Sequence, residues 1–185
     1  MKGITEDEVI ALLHPRMGFL DGVCVTGGEP TIHRGLPAFL ARLKSIGSLV
    51  KLDTNGSNPK MLGHVIGKKL VDYVAMDVKV PLDRYQQAVG YRITRDVILD
   101  SIRLIRRSKV DYEFRTTVVP GFVDGNDLEE IAKTLAGSKR YVLQSFRRGH
   151  TLSDECADLE PYSDIEMNGF RDRVAPYFGE ALLRL

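Results

Sequence analysis

Only two cysteines occur in the 185 residues, Cys24 and Cys156, and they form no CxxC pair. That usage fits a reducing, cytoplasmic compartment. An excess of one charge is missing too: 26 basic against 25 acidic residues leave a net charge of +1. No basic stripe stands out, so nucleic acid is not the expected partner. No segment is long and apolar enough to span a bilayer. The first residues, Met1 to Glu8, turn acidic at once and carry no apolar signal core. The four histidines, His14, His33, His64 and His150, show no metal-ligand spacing and read as solvent-facing. The glycines make neither a P-loop, since no Gly-Lys-Ser/Thr follows them, nor a GxGxxG, which weakens a nicotinamide reading.

What is present is enough apolar residue, 43%, to bury a real core, and residues 1–185 read as one domain. Short apolar runs alternate with helical patterns from end to end. Thr5 with Glu8 reads as a capping box, with Ile4 and Val9 as its staple. Val9, Leu12 and Leu13 then share one helical face. The run Gly22–Thr26 reads as a buried strand, with Cys24 as a core residue within it. Leu36, Phe39, Leu40 and Leu43 form a helical stripe.

Further strands are expected at Leu49–Leu52, Tyr73–Met76, Tyr112–Val119, Tyr141–Gln144 and Ala181–Leu185. Helices are expected after Asn58-Pro59, over Leu82–Ala88, after a Thr94 cap, around Leu128–Leu135, and after a Ser163/Glu166 capping box. Arg147 to Tyr162 lacks periodicity and reads as a surface loop. Such alternation implies right-handed βαβ units and a parallel sheet. Either an open doubly wound sheet or an incomplete (β/α) barrel satisfies it.

Ligand sites of parallel α/β folds lie at the carboxyl ends of the strands. Those ends carry Gly27-Gly28-Glu29-Pro30, then Asp53-Thr54-Asn55-Gly56, then Asp77-Val78-Lys79. Arg115, Thr116 and Thr117 follow on the fourth strand, and Gln144 and Ser145 on the fifth. Each has a bland reading: a tight turn for the glycines, an ion pair for Asp77 with Lys79, a surface charge on an edge strand for Arg115. Together they offer carboxylates, cations and bare backbone. That mixture suits a zwitterion such as an amino acid.

The segments Val25–Pro30, Leu52–Gly56, Asp72–Lys79 and Phe114–Pro120 resemble, in order and spacing, the radical SAM activating enzymes. The likeness is greatest to the activating proteins of anaerobic ribonucleoside-triphosphate reductase, kin to pyruvate formate-lyase activase. The resemblance implies a partial (β/α) barrel and an oxidoreductase that reductively cleaves S-adenosylmethionine. The resulting 5′-deoxyadenosyl radical takes a hydrogen from a glycine of a partner glycyl-radical enzyme, such as an anaerobic ribonucleotide reductase. Flavodoxin or ferredoxin would supply the electron. By similarity, Gly27, Gly28 and Glu29 meet the methionine amino group. Asp53, Thr54, Asp77 and Lys79 line the methionine and ribose side, with Arg115 and Gln144 further round.

The family's [4Fe-4S] cluster sits on a CxxxCxxC loop after its first strand, and no such loop occurs here. Cys24 and Cys156 are too far apart in sequence to replace three close ligands. The expectation is therefore a radical SAM core lacking its first strand and cluster loop, with no catalytic or metal-ligating residue assigned within it. The alternative is a cluster-less, non-catalytic scaffold that binds or regulates a partner protein.

Overall fold

The computed structural model describes residues 3–89, 93–148 and 159–185. Cys156, His150 and most of the Arg147–Tyr162 loop lie outside those residues. Six strands form one sheet: β1 (Val23–Val25), β2 (Val50–Thr54), β3 (Tyr73–Asp77), β4 (Asp111–Val118), β5 (Arg140–Ser145) and β6 (Glu180–Arg184). All neighbouring pairs are parallel, and the spatial order β1-β2-β3-β4-β5-β6 is the chain order. That order decides between the two open architectures. A doubly wound sheet reverses its order at a switch point. A sheet that never reverses sends every right-handed crossover to the same face and closes toward a barrel. The fold is α/β, a partial (β/α) barrel.

α1 (Glu6–Leu13) precedes β1, and the crossovers carry α2 (Leu36–Ser45), α3 (Pro59–Gly67), α4 (Tyr85–Ala88), α5 (Arg95–Arg107), α6 (Gly125–Leu135) and α7 (Asp164–Val174). Thr5 and Ser163 form the expected capping boxes with Glu8 and Glu166, and Asp124 with Asp127 makes a third. Thr94 stands at the N-cap of α5, but its side chain makes no capping bond. The expected stripes face the sheet. Leu36, Leu40 and Leu43 of α2 and Leu128, Ile131, Ala132 and Leu135 of α6 are buried in one core with Leu52, Val74, Met76, Phe114, Tyr141 and Leu143. Each fully buried Leu, Ile or Phe contributes about 1.5–3 kcal/mol. The expected α1 face is less well covered: Leu12 stays exposed, and no residue of α1 is fully buried.

Cys24 is exposed, correcting its expected place in the core. β1 pairs only with β2 among the described residues, and its alternation turns Val23 and Val25 toward the core and Cys24 the other way, level with Lys51. A lone apolar run does not show which of its residues point to the helices. His14, His33 and His64 are exposed as expected. No helix among the described residues is long and apolar enough to cross a membrane.

Gly56, just beyond β2, has a φ of +73°, and its carbonyl accepts the Ser101 hydroxyl at 2.7 Å from α5. A Cβ there would run into buried Met76 and come within 3.4 Å of Ser101. Gly56→Ala is expected to destabilise the chain by about 1–3 kcal/mol. A urea midpoint shifted downward with an unchanged slope would be the reading; an unshifted midpoint would show that the turn tolerates a side chain.

Candidate functional site

Side chains alternate across a strand, so every second residue faces away from the helices. In-register neighbours continue each row across the sheet. One row runs Asp53, Ala75, Glu113; the next runs Asp77, Arg115, Val142, Leu182; the last joins Thr117, Gln144 and Arg184. Lys51, Tyr73 and Asp111 lie on the row nearest the strand starts. The inner face of the partial barrel is therefore charged, while the helix side is apolar.

Arg115 sits at its centre, with 9% of its side chain exposed. Its Nε donates to Asp77 at 2.7 Å and its second nitrogen to Asp53 at 3.0 Å. This overturns two of the bland expectations. Arg115 is on the central strand β4, not an edge, and Asp77 pairs with Arg115 rather than Lys79. Both corrections are matters of strand order, which sets neighbours that sequence spacing does not.

Burial pushes the Asp53 carboxyl up, but Arg115 and Lys51 together outweigh it and hold it below the usual range. For Asp77 loss of hydration is the largest influence and outweighs Arg115, although 39% of the side chain meets solvent; its carboxyl titrates above the usual value. Burial pushes the Arg115 guanidinium down, yet the two carboxylates hold it above its ordinary value, so it stays charged.

Glu29 is buried and already heavily engaged. Its carboxylate accepts from the Thr31 amide at 3.1 Å and hydroxyl at 2.5 Å, the Thr54 hydroxyl at 2.8 Å and the Asn55 amide at 2.6 Å. It fastens the end of β1 to the end of β2. Thr54 accordingly faces the buried side, its hydroxyl also accepting from Gly56. Asn58 caps α3 and donates to the Thr31 carbonyl, which ties a third element to the same turn.

Gly27 and Gly28, with φ of +98° and +53°, are exposed, and no atom stands within 4 Å of where their Cβ would be. Among the described residues their amides make no hydrogen bond. Lys79 is exposed just past β3, its backbone amide donating to Tyr85 at 3.1 Å.

Gly27, Gly28, Asp53, Asp77, Lys79, Arg115 and Gln144 thus gather at the carboxyl end of the inner face, while Glu29 and Thr54 support it from beneath. Sequence reasoning missed Glu113 and its neighbours Lys51, Tyr73, Arg140 and Arg184. The alternation Asp111, Glu113, Arg115, Thr117 in β4 is the signal that would have found them.

Residues 4–135 match the model of the radical SAM superfamily. The chain is 34% identical over 171 residues to a Methanocaldococcus jannaschii protein provisionally named a glycyl-radical enzyme activating enzyme, covering 90% of this chain and 71% of the relative. A second protein of that organism with the same provisional name is 30% identical over 121 residues, covering 63% of this chain and 46% of the relative. In fold, the chain resembles the crystal structure of a domain of pyruvate-formate lyase-activating enzyme from Bacteroides vulgatus. The TM-score is 0.69 at 20% identity, over 89% of this chain and 99% of that one.

S-adenosylmethionine and a [4Fe-4S] cluster are the cofactors of such proteins. The unbonded glycine amides fit the amino-acid end of the first, as does Asp53, whose buried Oδ1 accepts no hydrogen bond among the described residues while the Lys51 ammonium stands 3.3 Å away. The second does not fit the described residues, which offer one cysteine and no group of three metal-binding side chains.

Removing the Arg115 guanidinium leaves Asp53 and Asp77 facing each other. In the native chain, the lowered Asp53 contributes stability above its unfolded value of about 3.8, which is lost as pH falls through its folded value. The raised Asp77 works oppositely: its contribution is present at low pH and is lost as pH rises through its folded value. In Arg115→Met both carboxyls titrate higher, so the penalty should reach about 3 kcal/mol at neutral pH and shrink as pH falls and both protonate. Denaturation curves across that range would show it. A penalty independent of pH would mean that the triad is not electrostatically coupled.

Proposed function

Because the chain belongs to the radical SAM superfamily, we propose that it is an activase-type protein whose inner face binds S-adenosylmethionine and serves a partner glycyl-radical enzyme. The observation that carries this reading is the unbonded Gly27-Gly28 backbone beside the Asp53–Arg115–Asp77 triad. Glycine amides and carbonyls approach the ligand's ammonium and carboxylate without steric hindrance. Exposed Lys79, just past β3, and half-buried Gln144, near the end of β5, extend the rim. Asp53 and Asp77 are held in place by Arg115, so the carboxylates are oriented before ligand arrives and little ordering is needed on binding.

S-adenosylmethionine would supply the carbon radical that characterises the superfamily, and Gly27, Gly28, Asp53 and Asp77 would hold its amino-acid end. The chain spans 71% and 46% of the two relatives above, and their provisional names support an activase. An anaerobic ribonucleotide reductase-like target, an electron donor of the flavodoxin or ferredoxin kind, and a cytoplasmic setting belong to the same proposal.

Equilibrium dialysis against radiolabelled S-adenosylmethionine tests the ligand directly. Saturable binding is expected, weak without an iron anchor. Gly28→Val should weaken it at least about tenfold, equivalent to about 1.4 kcal/mol; because Gly28 holds a φ of +53° the variant should also unfold at a lower temperature, so binding is compared well below that transition. No saturable binding, or equal binding by the variant, would contradict the reading. Capture of a glycyl-radical enzyme by a chain that does not bind S-adenosylmethionine would favour the non-catalytic scaffold instead.

A further inference from the structure

Below the Arg115 row, toward the strand starts, the inner face holds a second built site. It is a cavity of about 380 Å³ lined by Lys51, Tyr73, Glu113, Arg140, Arg184 and their neighbours on β6. Glu113 is its centre, with 3% of its side chain exposed. Its Oε2 accepts from the Tyr73 hydroxyl at 3.1 Å and from Arg184 at 2.8 Å, while Arg140 donates to the Tyr73 oxygen at 2.8 Å. Its Oε1 accepts no hydrogen bond among the described residues. The Lys51 ammonium stands 3.8 Å from that oxygen, beyond bonding distance, and 3.3 Å from Asp53. A buried carboxylate oxygen left without a donor is destabilising, so a ligand that donates to it is favoured. The site thus presents one unused acceptor and one adjacent donor.

We propose that this site recognises a primary carboxamide, the side chain of an Asn or Gln in a segment of the partner protein. The proposal rests on the activase reading for the identity of the partner, and on Glu113 and Lys51 for the chemistry. A carboxamide places its nitrogen and oxygen about 2.3 Å apart. Two hydrogen bonds of about 2.9 Å from that pair reach atoms set as Oε1 and Nζ are. A primary carboxamide presents N–H and C=O on the same side. A trans peptide bond presents them on opposite sides and cannot engage both.

A carboxylate would meet Glu113 in repulsion, and an ammonium would meet Lys51. A neutral group carrying both a donor and an acceptor meets neither. The Lys51 stem is flexible and 31% exposed, so it can turn aside to admit the ligand while keeping its charge on the ligand oxygen. Glu113 shares the row of Asp53 and lies one row from Arg115 on the same strand. A segment seated there is continuous with whatever occupies the carboxyl end.

The test is an NMR titration of ¹⁵N-labelled chain with acetyl-Gly-Gln-Gly-N-methylamide and with the same peptide carrying Glu or Met. The Gln peptide is expected to shift the Ala75, Glu113 and Arg184 amides saturably, at least tenfold tighter than the other two. Glu113→Gln and, as a second variant that leaves the carboxylate in place, Lys51→Met should each abolish that preference. Equal shifts from all three peptides, no shifts, or a preference that survives both variants would overturn the proposal. S-adenosylmethionine titrated into the same samples reports on Gly27 and Gly28. Loss of that response alone sinks the activase reading and leaves the carboxamide site standing; loss of Gln preference alone does the reverse.

Discussion

Among the described residues, six parallel strands laid down in chain order leave one face of the sheet without a helix. Right-handed crossovers allow no other outcome when the order never reverses. Everything else follows from that asymmetry. The helix side takes Leu52, Val74, Met76, Phe114 and Leu143 into a dry core, and the other side must be lined by groups that satisfy one another. Arg115 between Asp53 and Asp77, and Glu113 among Tyr73, Arg184 and Lys51, are how it does so. The polar face is stable because its charges are paired, and it is receptive because a few of its atoms are not.

The two ends of that face are built differently. At the carboxyl end the backbone is bare, with two consecutive positive-φ glycines whose amides are free. At the amino end the face is crowded with long side chains around a single buried carboxylate. A small zwitterion suits the first, since backbone groups approach it closely without regard to side-chain identity. The second discriminates, since charge and hydrogen-bond direction there reject most groups.

Glu29 shows how a motif residue can matter without facing the ligand. Four donors hold its carboxylate, one from the last residue of β2 and one from the turn that follows it. Its part in the geometry is to fasten the β1 end, so that Gly27 and Gly28 present their backbone in one conformation. The superfamily match over residues 4–135 covers this turn, the Arg115 row and the helices between them.

Strand–helix alternation, the helical stripes of α2 and α6, and the polar strand ends were all legible in the residues. Each depends on local periodicity or on turn chemistry confined to a few neighbours. The set of residues at the carboxyl end was legible for the same reason. The choice between barrel and open sheet, the pairing of Arg115 with two aspartates, the exposure of Cys24 and the seat around Glu113 were decided only by tertiary structure. Those depend on which strand lies beside which, and residues such as Asp53 and Arg115 meet across 62 positions of sequence. Long-range register fixes such meetings, and no local pattern encodes it.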